Sequence, residues 1–158
     1  MRLTKRGVAL GVAAAALGLV TACDKPAPYA TVVSDGDTAG GEATAWCFEN
    51  GTFNASTPGS DCKAGPANAG TITVKPGGTV EVDVPPDVGE DGWTAALASS
   101  DGNLAPVSFV RKGTSYIRFA VPNDATGSTT YVLELLALHP GQNAEKARGL
   151  WRFVLDVA

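Results

Sequence analysis

Short runs in which apolar and polar residues alternate one by one constrain this chain more than any other feature. Val80, Val82 and Val84 fall on one face of an extended segment, and Glu81 and Asp83 fall on the other. Side chains of a β-strand point alternately to its two faces, so this pattern predicts a strand with one buried face. Beyond the first apolar run, the chain has no apolar stripe at helical spacing. The pattern therefore favours an all-β fold.

Eight segments are predicted as strands, and turn-forming Gly, Pro, Asn and Asp residues separate them. They are 29–33, 42–48, 71–75, 79–84, 93–97, 115–121, 130–138 and 149–157. This spacing predicts one immunoglobulin-like antiparallel β-sandwich of about seven to eight short strands over residues 29–158. One or two helical turns are expected at Asn143–Arg148. The predicted core is Ile72, Val74, Val80, Val82, Trp93, Ile117, Phe119, Leu133, Leu135, Trp151, Phe153 and Leu155.

The N-terminal leader predicts export. Arg2, Lys5 and Arg6 precede an uncharged segment, 7–20. A helix of that length spans about 21 Å, whereas the hydrocarbon core of a bilayer is about 30 Å thick. A basic start followed by a short apolar run is typical of a secretory signal peptide, which we assign to residues 1–22.

The leader ends in Leu19-Val20-Thr21-Ala22-Cys23, which resembles the bacterial lipobox. That resemblance implies cleavage before Cys23 and attachment of diacylglycerol to its sulfur; the alternative is an ordinary signal peptide with a chance cysteine. Two acyl chains, at about 0.8 kcal/mol per buried methylene, would hold the protein at the membrane. Residues 23–28 then form the acylated cysteine and a Pro-rich spacer of roughly 15 Å. We expect the domain on the extracytoplasmic face of the cytoplasmic membrane.

The two remaining cysteines, Cys47 and Cys62, are expected to form a disulfide. An oxidising compartment outside the cytoplasm permits the bond, and closing a loop of about 15 residues stabilises the fold by roughly 3 kcal/mol. A redox or metal-binding pair is the alternative, but the spacing is not C-x-x-C and the chain has a single histidine.

Charge and composition exclude several functions. Lys and Arg number 12, and three of them lie in the leader, so nine remain against 16 acidic residues in the exported part, a formal charge of about −7. An acidic domain lacks the basic face that nucleic-acid binding requires. With a single histidine, a Ser-His-Asp or Cys-His enzyme and a His-rich metal site are not expected. We predict no catalytic residues, no metal and no cofactor.

Several motifs occur in an order that resembles one family. They are a lipobox, a Lys-Pro spacer, the Cys47/Cys62 pair, residues 73–80 (TVKPGGTV), Pro85-Pro86-Asp87-Val88, Gly92-Trp93 and Trp151-Arg152-Phe153. The chain is similar over most of its mature length to an actinobacterial lipoprotein family known only as domain of unknown function 2771. The resemblance implies location and fold, and it transfers no activity.

The segment from Asp83 to Trp93 is the candidate binding region. Asp83, Asp87, Glu90 and Asp91 concentrate carboxylates that could bind calcium, but an EF-hand-like spacing is absent and we interpret the segment as a solvated acidic turn. Residues 76–82 (PGGTVEV), followed by Gly92-Trp93, are loosely similar to chagasin-like cysteine-protease inhibitors, although residues 86–92 (PDVGEDG) replace that family's inhibitory loop sequence. We interpret Trp93 as the core tryptophan of the sandwich, with a place in the inhibitory loop as the alternative.

These observations predict a lipid-anchored, non-enzymatic binding or interaction module. Its partner, besides the membrane reached through Cys23, would be a protein or an envelope polymer. The alternative is a chagasin-like protease inhibitor acting through a loop that includes Asp87, Glu90, Asp91 and Trp93.

Overall fold

The computed structural model describes residues 26–47, 51–52, 62–99, 102–123, 130–140 and 146–158. These residues form eleven strands and one short helix, arranged as two sheets packed face to face. The predicted all-β sandwich is confirmed. Within the described residues, no helix has the length and apolar character needed to cross a bilayer.

The smaller sheet has four antiparallel strands in the order β2-β1-β6-β9. Their bounds are β1 Tyr29–Ser34, β2 Asp37–Glu42, β6 Thr79–Asp83 and β9 Tyr116–Ala120. Alternate residues on these strands are buried, as the sequence pattern predicts: Ala30 and Val32 on β1, and Val80 and Val82 on β6, face the other sheet.

The larger sheet has seven strands in the order β4-β3-β11-β10-β7-β8, with β5 also paired to β11. Their bounds are β3 Ala45–Cys47, β4 Cys62–Ala64, β5 Gly70–Val74, β7 Trp93–Ser99, β8 Leu104–Arg111, β10 Thr130–Leu138 and β11 Ala147–Val157. The eleven residues of β11 are enough to pair antiparallel with β3 near its start and parallel with β5 near its end.

The core lies between the two sheets and contains the predicted residues. Eleven of the twelve are buried, and Phe119 is partly buried against them. Trp151 and Phe153 of β11 and Leu133 and Leu135 of β10 are completely excluded from solvent. The central position of β10, paired on both sides, agrees with its nearly continuous apolar sequence.

A second, smaller cluster covers part of the outer face of the larger sheet. Ala45, Cys47, Ala147 and Leu150 are buried there, with Leu136 packed against them. The alternation along β3 therefore separates Trp46, which belongs to the main core, from Cys47, which belongs to the outer cluster. Phe48, the last residue of the strand predicted at 42–48, lies outside the described residues.

Three strands were not predicted, and each has weak sequence signals. Residues of β2 include Gly40 and Gly41, which have low β-propensity. Strand β4 has three residues. Strand β8 contains Pro106, which cannot donate to a ladder, and β8 is accordingly an edge strand.

The helical turns predicted at 143–148 are wrong for the last two residues. Ala147 and Arg148 belong to strand β11, while residues 143–145 lie outside the described part of the chain. The helix α1 instead spans Pro86–Asp91, within the segment predicted as a loop. Pro86, at the first position of α1, has the φ angle that a helix start requires. Proline has no backbone N–H, but an N–H at this position would have no partner within the helix.

The connections between strands divide into two ends of the sandwich. At the proximal end, where the chain enters β1, lie Pro26–Pro28, α1 and residues 112–115 and 138–139. At the distal end lie the Asp35–Gly36 turn and residues 76–78, which connect the two sheets. Both residues of the Asp35–Gly36 turn have positive φ, 49° and 90°, as a two-residue hairpin requires.

Two buried serines differ in whether the hydroxyl has a partner. The Ser34 Oγ donates to the carbonyl of Thr79 at 2.9 Å. The Ser108 Oγ is buried and has no hydrogen-bond partner among the described residues. Burying an unpaired hydroxyl opposes folding, whereas a paired one contributes to stability.

We therefore expect Ser108→Ala to raise the free energy of unfolding by about 1 kcal/mol and Ser34→Ala to lower it by about 1 kcal/mol. Urea denaturation followed by tryptophan fluorescence measures both. Equal destabilisation by the two substitutions would contradict the assignment of an unpaired hydroxyl at Ser108.

Candidate functional site

The chain enters the sandwich at a point fixed by two hydrogen bonds. The carbonyl oxygen of Pro28 accepts one from the indole N–H of Trp151 at 3.1 Å and one from the backbone N–H of Ala43 at 3.0 Å. Trp151 is completely buried, and Ala27 packs partly against the same core. The spacer therefore becomes part of the folded domain by Pro26–Pro28. Cys23, the predicted acylation site, lies outside the described residues.

Cys47 and Cys62 form the predicted disulfide. Their Cα atoms are 4.2 Å apart, directly opposite each other in the β3–β4 ladder. The Nε2 of His139, the single histidine, donates to the carbonyl oxygen of Gly51 at 2.9 Å. The histidine thereby connects Gly51, which lies between the two cysteines in sequence, to the end of β10.

The predicted binding segment packs onto the sandwich through its apolar residues. Val88 and Gly89 of α1 are buried, and the N–H of Gly113 donates to the carbonyl of Gly89 at 2.8 Å. Trp93 is completely buried and its indole N–H donates to the carbonyl of Thr114 at 2.7 Å. Trp93 is thus the core tryptophan, and the segment presents Asp87, Glu90 and Asp91 without it.

Arg148 holds α1 in place. Its Nη2 lies 2.9 Å from the Oδ2 of Asp91 and 3.8 Å from the Oδ2 of Asp87, and it donates to the carbonyl of Asp87 at 3.3 Å. The guanidinium stacks 5.0 Å from the ring of Trp46, which in turn lies 5.7 Å from Trp151. Only 13% of the Arg148 side chain is exposed, so solvent screens these contacts weakly.

This arrangement depends on a glycine next to the arginine. A Cβ at Gly149 would lie 2.3 Å from the ring of Trp46. Because Gly149 has no side chain, the indole of Trp46 can pack directly on β11. The ring of Trp46 then meets the guanidinium of Arg148.

Arg148 changes the chemistry expected of the acidic segment. Asp87 and Asp91 face a guanidinium that supplies the positive charge a bound cation would otherwise provide. Within the described residues, no group of three or more His, Cys, Asp and Glu side chains is arranged to hold a metal ion. Asp83 lies apart from α1, on the exposed outer face of the smaller sheet.

An open cleft of about 280 Å³ lies on that outer face, beside the proximal end. Its lining comprises Tyr29, Thr31, Asp83, Val84, Pro85, Pro86 and Ser115. The ring of Tyr29 lies over Gly40, where a Cβ would be 2.7 Å from it. Because Gly40 has no side chain, the exposed aromatic ring has room to lie against the sheet. The cleft thus combines one aromatic ring, one carboxylate and two hydroxyls.

Tyr116 lies opposite Asp83 in the ladder between β6 and β9. Partial desolvation, followed by the nearby Glu81 carboxylate, raises the pKa of its phenol above the ordinary value. The phenol therefore keeps its proton at neutral pH. It adds a hydrogen-bond donor and a half-exposed aromatic ring to the same face of the sheet.

Sequence reasoning did not find Arg148, Tyr29 or Tyr116 as site residues. Arg148 was expected in a helical turn at 143–148, whereas the structure places it in β11 beside the register shift at Ala137/Leu138, where it meets Trp46 and α1. Tyr29 and Tyr116 occupy ordinary outward positions of their strands, and their shared face depends on β1 and β9 both pairing with β6. Residue spacing carries no signal for any of these contacts.

No family model, curated protein or solved structure matches this chain.

The position of Arg148 gives a stability prediction. Arg148→Ala removes the stacking on Trp46 and leaves Asp91 without its partner, so we expect the free energy of unfolding to fall by about 2 kcal/mol. Arg148→Met, which keeps apolar length, should recover part of that loss.

Arg118→Ala is the matched control, because Arg118 is 64% exposed and pairs with Glu81 at 3.8 Å. An exposed pair contributes less than about 0.5 kcal/mol. Denaturation curves in which the Arg148 and Arg118 variants lose equal stability would show that Arg148 does not hold α1.

Proposed function

We propose that the protein is a lipid-anchored β-sandwich on the extracytoplasmic face of the membrane, acting as a non-enzymatic module that binds envelope polysaccharide. The anchor would be a diacylglyceryl group on Cys23. The binding surface would be the outer face of the smaller sheet, in the cleft beside Tyr29.

The single observation that carries the anchor is the fixed position of Pro28. The domain starts within three residues of the predicted Cys23, since Pro26 already belongs to the described fold. A spacer of this length, directly after a lipobox and directly before the first strand, suits a domain that is tethered at its N-terminus. The Cys47–Cys62 disulfide supports an oxidising compartment.

The cleft supports a polysaccharide as partner. The apolar face of a pyranose ring stacks on an aromatic side chain, which has an apolar body and a polar tip. Its hydroxyls donate to a carboxylate in charge-assisted hydrogen bonds, for which Asp83 is available because it forms no ion pair with any described residue. Thr31 and Ser115 add hydroxyls at the rim of the same cleft.

The surroundings of the polar groups support binding rather than catalysis. The ring nitrogen Nε2 of His139 is engaged with Gly51 at the proximal end. The cleft offers the carboxylate of Asp83 without a histidine in its lining. The likeness to the domain of unknown function 2771 family is consistent with this proposal and adds no activity to it.

The anchor is tested by metabolic labelling with an alkyne fatty acid. The wild-type chain is expected to take up the label and to enter the detergent phase on Triton X-114 partition. Cys23→Ala should lose the label, because it has no sulfur to accept the diacylglyceryl group. The matched control, Cys47→Ala with Cys62→Ala, should keep it. A wild-type chain without label, or a labelled Cys23→Ala variant, would contradict the anchor.

Polysaccharide binding is tested by co-sedimentation of the mature lipoprotein, in detergent, with isolated cell-wall polysaccharide. Tyr29→Ala with Asp83→Asn should weaken binding about tenfold, since one stacking contact and one charge-assisted hydrogen bond are lost. Asp37→Asn, an exposed aspartate outside the cleft, should leave binding unchanged. No sedimentation of the wild type, or equal sedimentation of all three proteins, would rule out the cleft as a polysaccharide site.

A further inference from the structure

The described cations divide sharply according to whether they have a partner. Arg118 pairs with Glu81 and Arg152 pairs with Glu134 on the outer faces of the two sheets. Lys75 pairs with Asp35 at the distal end. Each of these positive charges already has a carboxylate within 4 Å.

Three exposed cations have no ion pair with any described residue: Arg111, Lys112 and Lys146. All three lie at the proximal end. Arg111 is the last residue of β8 and lies opposite Trp93. Lys112 directly precedes Gly113, whose N–H donates to the carbonyl of Gly89 in α1. Lys146 directly precedes β11.

The unpaired positive charge of the described domain is therefore gathered at the end where the chain enters. Glu42, Asp83 and Glu90, which are also exposed and form no ion pair with a described residue, lie at the same end on the smaller sheet and α1, so the candidate contact is the β8 side of this end.

An exposed aromatic residue lies on the same edge strand as Arg111. Phe109, two residues before Arg111 on the edge strand β8, is 83% exposed and is the most exposed of the large apolar side chains that the structure describes. An aromatic ring next to basic side chains suits the boundary between headgroups and acyl chains, where the ring enters the apolar layer and the cations meet phosphates.

The length of the tether adds an independent constraint. Three peptide units separate Cys23 from Pro26, and a fully extended chain spans at most about 3.6 Å per residue, which gives roughly 10 Å. Pro28 is fixed to Trp151 and Ala43. The distal end lies roughly 20 Å further away, by the length of the six-residue β1.

We infer that the proximal end of the sandwich faces the membrane, with Phe109 in the interfacial layer and Arg111, Lys112 and Lys146 on anionic headgroups. This inference rests on the proposed anchor at Cys23. The partner is an anionic lipid surface, and the domain stands on it end-on. The distal turns remain open to the envelope.

Energy transfer to a membrane acceptor tests the orientation. The mature lipoprotein is reconstituted into vesicles of phosphatidylcholine with phosphatidylglycerol that carry an acceptor-labelled lipid. A donor dye is placed on Lys112→Cys or, as the matched control at the distal end, on Lys75→Cys. The separation of roughly 20 Å between the ends predicts a transfer efficiency at least about twofold higher from position 112. Equal transfer, or higher transfer from position 75, would overturn the inference.

A second experiment tests the headgroup contact, with the donor dye placed on Lys146→Cys. Phe109→Ser combined with Arg111→Glu and Lys112→Glu should lower transfer on phosphatidylglycerol-containing vesicles. Leu104→Ser combined with Lys75→Glu should not, since Leu104 is at the distal end of the same strand. Unchanged transfer in the first variant would overturn the contact.

Vesicle flotation separates the two proposals. A wild-type chain that fails to float with vesicles overturns the anchor and the orientation together. A chain that floats while positions 112 and 75 transfer equally leaves the anchor standing and overturns the orientation.

Discussion

The buried indole of Trp151 connects most of the features that define this molecule. Its N–H fixes the carbonyl of Pro28, where the chain enters the domain. Its ring contacts Trp46, which carries the guanidinium of Arg148, and Arg148 in turn holds α1. The point of attachment and the geometry of the proximal end thus depend on the packing of a single core side chain.

The parts of the fold that the sequence predicted are those in which burial alternates with every residue. Strand β6 is the clearest case, since Val80 and Val82 face the core and Glu81 faces solvent. The edge strand β8 and the glycine-containing β2 escaped prediction, because their places in the sheets follow from pairing with neighbours and their own composition disfavours strands.

The site was less predictable than the fold, for a physical reason. A contact such as Arg148 on Trp46 joins residues far apart in the chain, and it requires the missing side chain of Gly149. The acidic segment was recognised from its composition, but its partner was not. A cluster of carboxylates that suggested a divalent cation instead meets an arginine from β11.

The fixed carbonyl of Pro28 also governs how the protein could meet other molecules. If Cys23 carries the proposed diacylglyceryl group, a tether of roughly 10 Å would confine the domain to a thin layer above the bilayer, and its collisions would occur mostly in two dimensions. Within that layer its effective concentration towards neighbours in the same membrane would be high, while soluble molecules far from the surface would be out of reach. A modest affinity would then suffice for lasting association, provided that the partner is held in the same layer.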